Sequence, residues 1–218
     1  MIQYVLFDLD NTLYSARYGL EDNVSRRIRS FLAEFLGVSP EEAWRQRSER
    51  LREFGTTLEW ITTEKGFTDI ERYFAFVHPE DEADSLPPDP ALRAFLERLP
   101  QPKAILTNSP GEHANRIIGR LGISGLFTHI FDIRGNNLKG KPNPGAYLRP
   151  FEIMGAAPGE VLFVDDSPSY VDGCRALGGR GVLLDEYNAW PAYPGPRIRR
   201  LGELEGIIGG SEPDSKPA

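Results

Sequence analysis

The apolar residues of this chain follow two patterns, which predict different kinds of secondary structure. Short apolar runs predict buried strands, and longer stretches with apolar residues at helical spacing, such as Ile28, Phe31 and Leu32, predict helices. The predicted strands are roughly 2–7, 103–107, 127–133, 161–164 and 181–184. The predicted helices are roughly 19–36, 40–54, 58–65, 69–76, 91–99, 112–121, 144–155 and 170–177. Strands that alternate with helices predict a parallel sheet with helices on both faces.

The region between the first and second predicted strands contains only helical segments. It ends at Pro87-Pro88-Asp89-Pro90, a sequence typical of a linker. We therefore expect an α/β protein whose Rossmann-like, doubly wound parallel sheet is formed by residues 1–14 and 90–209. A small all-helical cap, residues 15–89, is expected to be inserted after the first strand. The polar, proline-containing tail at 210–218 is expected to be disordered.

Composition and charge exclude several kinds of partner. The net charge is −7 and no block of lysine or arginine occurs, which argues against a nucleic-acid polymer. No apolar run approaches the ~20 residues needed to span a membrane, and no secretory signal opens the chain. Cys174 is the single cysteine, so an internal disulfide is impossible, and we expect a buried structural thiol in a cytoplasmic protein.

Two carboxylates, Asp8 and Asp10, directly follow the apolar run 2–7. If that run is a buried strand of a parallel sheet, both lie where open α/β sheets place their chemistry. Carboxylates held this close repel each other unless a cation or a shared proton relieves them. The pair therefore suggests a divalent metal, acid–base chemistry or both. A solvated loop or a helix N-cap is the alternative.

Two further predicted strands also end in polar residues. Thr107-Asn108-Ser109 follows one of them, and Asp165-Asp166-Ser167 follows the other. A parallel sheet brings such ends to one edge, and hard oxygen ligands in this number suit Mg²⁺. Helix capping is the alternative, and it explains the serines, each of which precedes a proline. Capping does not explain four aspartates beside buried strands.

The segment from Gly135 to Lys141 matches the phosphate-binding pattern G-x-x-x-x-G-K. The next residue of that pattern is Ser or Thr, but here it is Pro142, which has neither a hydroxyl nor an N–H. A nucleoside-triphosphate loop is therefore disfavoured. We instead expect Pro142 and Pro144 to hold Lys141 so that it points into the crevice, where a cation would neutralise carboxylates and a phosphate.

Taken together, these segments resemble the signature of the haloacid dehalogenase superfamily of phosphotransferases. They occur in the order Asp8-x-Asp10-x-Thr12, Thr107-Asn108, Lys141-Pro142-x-Pro144 and Asp165-Asp166. The helical insertion is similar to the small helical cap of that superfamily. Three stretches further resemble the pyrimidine 5′-nucleotidase-like branch: 7–14, 54–58 and 107–114. Glu59 stands where that branch often has an arginine.

The resemblance implies roles for the aspartates. Asp8 would attack phosphorus to form an aspartyl-phosphate, and Asp10 would protonate the leaving oxygen and then activate water. A Mg²⁺ cofactor would be held by the Asp8 side chain, the Asp10 backbone carbonyl and Asp166. The dehalogenases of the superfamily lack an acid at the position of Asp10, so the resemblance implies a phosphate ester rather than a halide.

The resemblance also implies roles for residues around the phosphate. Thr107 would hydrogen-bond a phosphoryl oxygen, and Lys141 would neutralise Asp8 and the phosphate together. Asp165 would act indirectly, by orienting Lys141 or a metal-bound water. Contacts with substrate are expected from Asn108, Ser109, Phe54, Thr56 and Thr57.

The expected function is a Mg²⁺-dependent phosphatase for a small phosphorylated metabolite, first of all a nucleoside 5′-monophosphate. A sugar-phosphate phosphatase or phosphomutase of the same superfamily is the alternative. A non-catalytic binding protein on this fold is disfavoured, because binding alone would not need the complete set of catalytic residue types.

Overall fold

The computed structural model describes residues 1–210, so the tail expected to be disordered lies outside the described residues from position 211 onward. The described residues form a six-stranded sheet in the order β3-β2-β1-β4-β5-β6, with every neighbouring pair parallel. The strands are β1 (Tyr4–Phe7), β2 (Lys103–Leu106), β3 (His129–Phe131), β4 (Val161–Asp165), β5 (Arg180–Leu184) and β6 (Arg197–Ile198). This is the expected α/β fold with a doubly wound parallel sheet.

The strand register brings the polar strand ends to a single edge. Phe7 at the end of β1 lies opposite Ile105 of β2 on one side and Val164 of β4 on the other. All three residues are buried, because this central part of the sheet is covered on both faces. The residues that follow them therefore leave the sheet side by side.

Helices flank the sheet and fill the region after β1. The helices of that region are α1 (Leu20–Leu36), α2 (Pro40–Phe54), α3 (Thr57–Glu64) and α4 (Ile70–Val77). The remaining helices are α5 (Pro90–Arg98), α6 (Gly111–Leu121), α7 (Pro144–Met154), α8 (Pro168–Ala176) and α9 (Leu204–Ile208).

Local sequence accounts for the helix ends after β1. The Ser39 side chain accepts a hydrogen bond from the backbone of Glu42 and so caps α2, and Pro40 occupies its first position. Helix α1 ends at Gly37, which has a φ of 65°. Glycine adopts this left-handed conformation without strain, and its N–H bonds the last carbonyls of the helix.

The helices after β1 have a hydrophobic core of their own. Its buried members include Ile28, Phe31, Leu32, Trp60, Ile61 and Phe74. Two other clusters of buried residues cover the two faces of the sheet. The residue limits of core and cap, 1–14 with 90–209 and 15–89, stay a prediction.

Some elements differ from the sequence-based expectation. Strand β3 covers only 129–131 of the predicted 127–133. Strand β6 and helix α9 were not predicted, because two and five residues are too few to display a hydrophobic period. Among residues 1–210, every helix is too short or too polar to cross a membrane.

Candidate active site

A cavity of about 290 Å³ lies at the carboxyl edge of the sheet, between the strand ends and the helices after β1. The predicted site residues that line it are Asp8, Asp10, Thr56, Thr57, Thr107, Asn108, Ser109, Lys141 and Asp166. Asp165 lies beneath the cavity and is completely buried. Phe54 is not brought to the cavity and instead packs against the hydrophobic core of the helices after β1.

Asp8 is paired with a buried lysine. The Lys141 ammonium lies 2.6 Å from Asp8 Oδ1 and 2.6 Å from Asp165 Oδ2, and the lysine side chain is 1% exposed. Burial raises the pKa of Asp8, although Lys141 opposes that shift. Burial would lower the pKa of Lys141, but the two carboxylates raise it above its usual range. The lysine is therefore a permanent cation beside Asp8.

Asn108 fixes the loop that carries Lys141. Its side-chain amide donates to the Lys141 carbonyl at 3.0 Å and its Oδ1 accepts the Lys141 N–H at 2.7 Å. The chain comes so close here that a Cβ at Gly140 would clash with the Thr56 Cγ2 atom. Glycine at position 140 therefore lets the loop pack against both Asn108 and the start of α3.

Three side chains hold the Asp10 carboxylate. Tyr14 donates to Oδ1 at 2.5 Å, His113 Nε2 lies 2.7 Å from the same oxygen, and Ser109 donates to Oδ2 at 3.0 Å. Burial would raise the pKa of Asp10, but the charge and hydrogen bond of His113, with the Tyr14 hydroxyl, lower it below its usual range. Asn11 follows with a φ of 57°, a left-handed conformation that asparagine tolerates.

A buried hydrogen-bonded chain lies behind Asp10. His113 Nδ1 is 2.8 Å from one oxygen of Glu82, whose other oxygen is 3.0 Å from His78 Nδ1. Burial would lower the pKa of His113, but Asp10 and Glu82 raise it to about 10. With a carboxylate facing each ring nitrogen, His113 is an imidazolium that donates to both.

Sequence reasoning missed this chain of residues. His113 lies within a stretch that carried the resemblance, but nothing in the sequence indicated its contact with Asp10. His78 and Glu82 lie four residues apart just after α4, a spacing that in the sequence alone does not indicate a contact with α6. Arg116 also donates to Glu82 at 2.6 Å, so the oxygen of Glu82 that faces His113 is already paired with a cation. The cluster is therefore better described as a hydrogen-bonded network than as a metal site.

The acidic residues at the strand ends fit a divalent cation. Ligand atoms of Asp8, Asp165 and Asp166 lie within 4.8 Å of one another. Both oxygens of Asp165 have partners, namely Lys141 and the Ser167 N–H, which leaves Asp8 and Asp166 to face a cation. Burial and then the charge of Asp8 raise the pKa of Asp166 to about 7. A bound cation would relieve this repulsion, and hard oxygen donors suit Mg²⁺.

The helices after β1 form the other wall of the cavity. Thr57 and Leu58 at the start of α3 line it, and so do Arg47 from α2 and Glu21 from α1. Glu59 does not line it, and one of its carboxylate oxygens is buried without a hydrogen-bond partner among the described residues. Among the described residues of α1 to α4 that line the cavity, Arg47 of α2 is the cation.

Comparison with known proteins gives a family match over most of the chain. Residues 2–178 match the family model described as haloacid dehalogenase-like hydrolase. A hexitol phosphatase A from Escherichia coli is 31% identical over 188 residues, covering 83% of this chain and 82% of that protein. A phosphoglycolate phosphatase from Pasteurella multocida is 28% identical over 200 residues, covering 82% of this chain and 86% of that protein.

Phosphate metabolism protein 8 from Saccharomyces cerevisiae is 30% identical over 197 residues, which is 83% of this chain but only 61% of the yeast protein. Among solved structures, a HAD phosphatase from Thermococcus onnurineus matches with a TM-score of 0.67 at 24% identity, covering 97% of this chain and 100% of that one. An L-2-haloacid dehalogenase from Xanthobacter autotrophicus matches with a TM-score of 0.63 at 20% identity, covering 96% and 99%. These structural matches support the fold.

Proposed function

The chain belongs to the haloacid dehalogenase-like hydrolases, and from that premise we propose that it is a Mg²⁺-dependent phosphatase for a small phosphomonoester. One observation carries the choice of phosphatase over dehalogenase. The carboxylate of Asp10 faces the same cavity as Asp8 and is held there by Tyr14, His113 and Ser109. An alkoxide leaving group needs a proton, whereas a halide does not, so an acid held at this position favours an ester.

In the first step, a carboxylate oxygen of Asp8 attacks phosphorus, and the bond from phosphorus to the ester oxygen breaks. A proton of the hydrogen-bonded pair of His113 and Asp10 passes through Asp10 to that oxygen, which leaves as an alcohol. Lys141 lies against Asp8 and balances the charge of the nucleophile as the anionic phosphoryl group approaches. The product of this step is an aspartyl-phosphate on Asp8.

In the second step, water attacks the phosphorus of the aspartyl-phosphate. Asp10, now a carboxylate, accepts a proton from this water, and the bond from phosphorus to the Asp8 oxygen breaks. Inorganic phosphate and the free Asp8 carboxylate are the products, and the pair of His113 and Asp10 has regained its proton for the next turnover. The helices after β1 limit the access of bulk water to the intermediate.

Asp8 and Asp166, with the backbone carbonyl of Asp10, are the residues that would hold Mg²⁺. The cation would supply positive charge between an anionic nucleophile and an anionic phosphate. Asp165 acts indirectly, because its oxygens hold Lys141 and the Ser167 N–H.

Thr107 and Asn108 are proposed to bind the phosphoryl oxygens. The Thr107 side chain is buried at the end of β2, where its hydroxyl oxygen accepts the Ser109 N–H at 3.0 Å. That bond leaves the hydroxyl hydrogen free to donate into the cavity. Because Asn108 also clamps the loop of Lys141, phosphate binding and the position of the lysine depend on one another.

Two classes of leaving group are considered, one from the sequence resemblance and one from a relative. Similarity to the pyrimidine 5′-nucleotidase-like branch favours a nucleoside 5′-monophosphate. The similarity to a hexitol phosphatase supports a sugar phosphate about equally. Thr56 and Thr57 at the start of α3 are proposed to contact the leaving group in either case, because both line the cavity.

A release assay tests the proposal. Purified protein with Mg²⁺ is incubated with p-nitrophenyl phosphate, nucleoside monophosphates, sugar phosphates and flavin mononucleotide, and separately with 2-chloropropanoate. We expect inorganic phosphate from at least one ester and no chloride from the haloacid. Chloride release without phosphate release would contradict the proposal. An isomerised sugar phosphate in place of free phosphate would indicate a mutase. Equal rates with pyrimidine monophosphates and sugar phosphates would remove the nucleotide preference.

A further inference from the structure

Arg47 brings a guanidinium group to the cavity that contains Asp8 and Asp10. It extends from α2, and its Nε–H donates to the hydroxyl of Thr57 at 2.7 Å. Its guanidinium carbon lies 4.3 Å from the ring centroid of Trp44. These contacts hold the guanidinium plane while leaving its terminal nitrogens free of a hydrogen bond to any described residue.

No carboxylate of residues 1–210 forms an ion pair with this guanidinium. Within residues 1–210, no carboxylate lies within 4.0 Å of Arg47, whereas Arg116, which is also half-buried, is 2.6 Å from Glu82. Burial lowers the pKa of Arg47, but an arginine stays charged at any physiological pH. A charge withdrawn from water without a partner costs free energy, and an anion from a ligand would remove that cost.

Glu21 does not neutralise Arg47, although it lines the same cavity from α1. Burial, together with the charges of Asp10 and Asp166, raises the pKa of Glu21 to about 8. The raised pKa favours the protonated form of this carboxyl group, which can donate a hydrogen bond to a ligand.

The rest of this part of the cavity is apolar and narrow. Its apolar lining comes from Val24, Ile28, Leu58, Phe74, Val77 and Ile133. The volume of about 290 Å³ lies at the low end of the range for small-molecule sites, roughly 300–1,000 Å³. Once the phosphoryl group is beside Asp8, the remaining space suits a short leaving group with one polar end.

We propose that Arg47 binds a carboxylate on the leaving group, so that the substrate is the phosphate ester of a short hydroxy acid. The two terminal nitrogens of a guanidinium match the two oxygens of a carboxylate in a bidentate pair. Thr57, which occupies only Nε, leaves this end of the guanidinium open. This inference rests on the proposed phosphatase function, and it replaces the nucleotide and sugar phosphates considered there with a smaller, carboxylate-bearing class of ester.

A pair of isosteric esters tests the inference: 2-phosphoglycolate and the ester in which a neutral carboxamide replaces the carboxylate. Phosphate release by the full chain with Mg²⁺ gives kcat/KM for each. We expect the wild type to prefer the carboxylate ester by about 10- to 100-fold, the range of one charge-assisted hydrogen-bonded pair. Arg47→Gln should abolish this preference by lowering kcat/KM for the carboxylate ester far more than for the carboxamide, because only the former makes the carboxylate contact.

Arg29→Gln is the matched control. Arg29 also lies over the Trp44 ring, at 4.8 Å, but it is exposed and does not line the cavity. This variant should keep the preference for the carboxylate ester. An equal loss of activity on both esters in Arg47→Gln would show a structural role and overturn the inference.

The outcome separates this inference from the proposed function. A wild type that hydrolyses the carboxamide ester or p-nitrophenyl phosphate without preferring the carboxylate ester overturns the inference alone. A wild type that releases phosphate from none of these esters overturns both.

Discussion

His113 Nε2 lies 2.7 Å from the Asp10 carboxylate oxygen Oδ1, and the buried imidazole stands behind Asp10, which lines the cavity. The same ring donates through Nδ1 to Glu82, so His113 cannot rotate without breaking two charge-assisted hydrogen bonds. Asp10 is thus the exposed end of a buried chain that fixes the direction of its carboxylate. The imidazolium proton lies one hydrogen bond from the group that must protonate the leaving alcohol.

His113→Gln should impair leaving-group protonation more than the binding of phosphate. We expect kcat/KM for an alkyl phosphate to fall by about 10- to 100-fold, as is typical when a partner that orients a functional group is lost. For p-nitrophenyl phosphate, whose leaving group needs no proton, the fall should be only a few-fold. The measurement is kcat/KM, which reports the steps through phosphoryl transfer to Asp8.

His129→Gln serves as the control, since His129 is exposed on β3 and lies outside the cavity. Its kcat/KM values should match those of the wild type. If His113→Gln lowered kcat/KM for the two esters by the same factor, His113 would act on folding or binding rather than on Asp10.

Removal of divalent cations should remove activity. We expect EDTA to stop phosphate release and added Mg²⁺ to restore it, because Asp8 and Asp166 repel each other without a cation. Asp166→Asn should raise the Mg²⁺ concentration for half-maximal activity by more than about 10-fold. Even the loss of a residue that only hydrogen-bonds a metal ligand typically lowers metal affinity by about that factor. Undiminished hydrolysis in EDTA would contradict the assignment of the metal site.

Lys141→Met should destabilise the folded protein and also abolish its phosphatase activity. The substitution leaves Asp8 and Asp165, which are 8% and 0% exposed, without their shared cation. Breaking a buried ion pair by removing one partner costs about 3–5 kcal/mol, and we expect a loss of this size in the free energy of unfolding in urea. Lys139→Met, at an exposed position two residues earlier, should change the free energy of unfolding by less than about 0.5 kcal/mol. An equally stable Lys141→Met would refute the pairing.

The sheet and its carboxyl edge could be predicted because their signals are local. Each of three apolar runs is followed directly by a polar residue: Asp8, Thr107 or Asp165. This local pattern indicates a buried strand and also identifies the polar residue at its carboxyl end. Parallel pairing then brings those ends together without any knowledge of side-chain contacts. Helices α1 and α2 were equally predictable, because Gly37, Ser39 and Pro40 mark their limits in the sequence.

The residues behind Asp10 and the arginine in the cavity could not be predicted, because their positions depend on contacts between segments that are far apart in the chain. His113 and Glu82 are 31 residues apart and meet only when α6 packs against the segment after α4. Arg47 reaches the cavity from the middle of a helix whose sequence resembles any solvated helix. Phe54, expected to contact substrate, instead packs into the core around α1 to α4.

The central claim is that Asp8 is the nucleophile of a phosphatase, and phosphate release by Asp8→Asn tests it most directly. The amide is isosteric and cannot attack phosphorus, so turnover of every ester that the wild type hydrolyses should fall by at least about 10⁴-fold, while urea unfolding still shows one cooperative transition. A folded Asp8→Asn variant that keeps a tenth or more of the wild-type rate would contradict the claim.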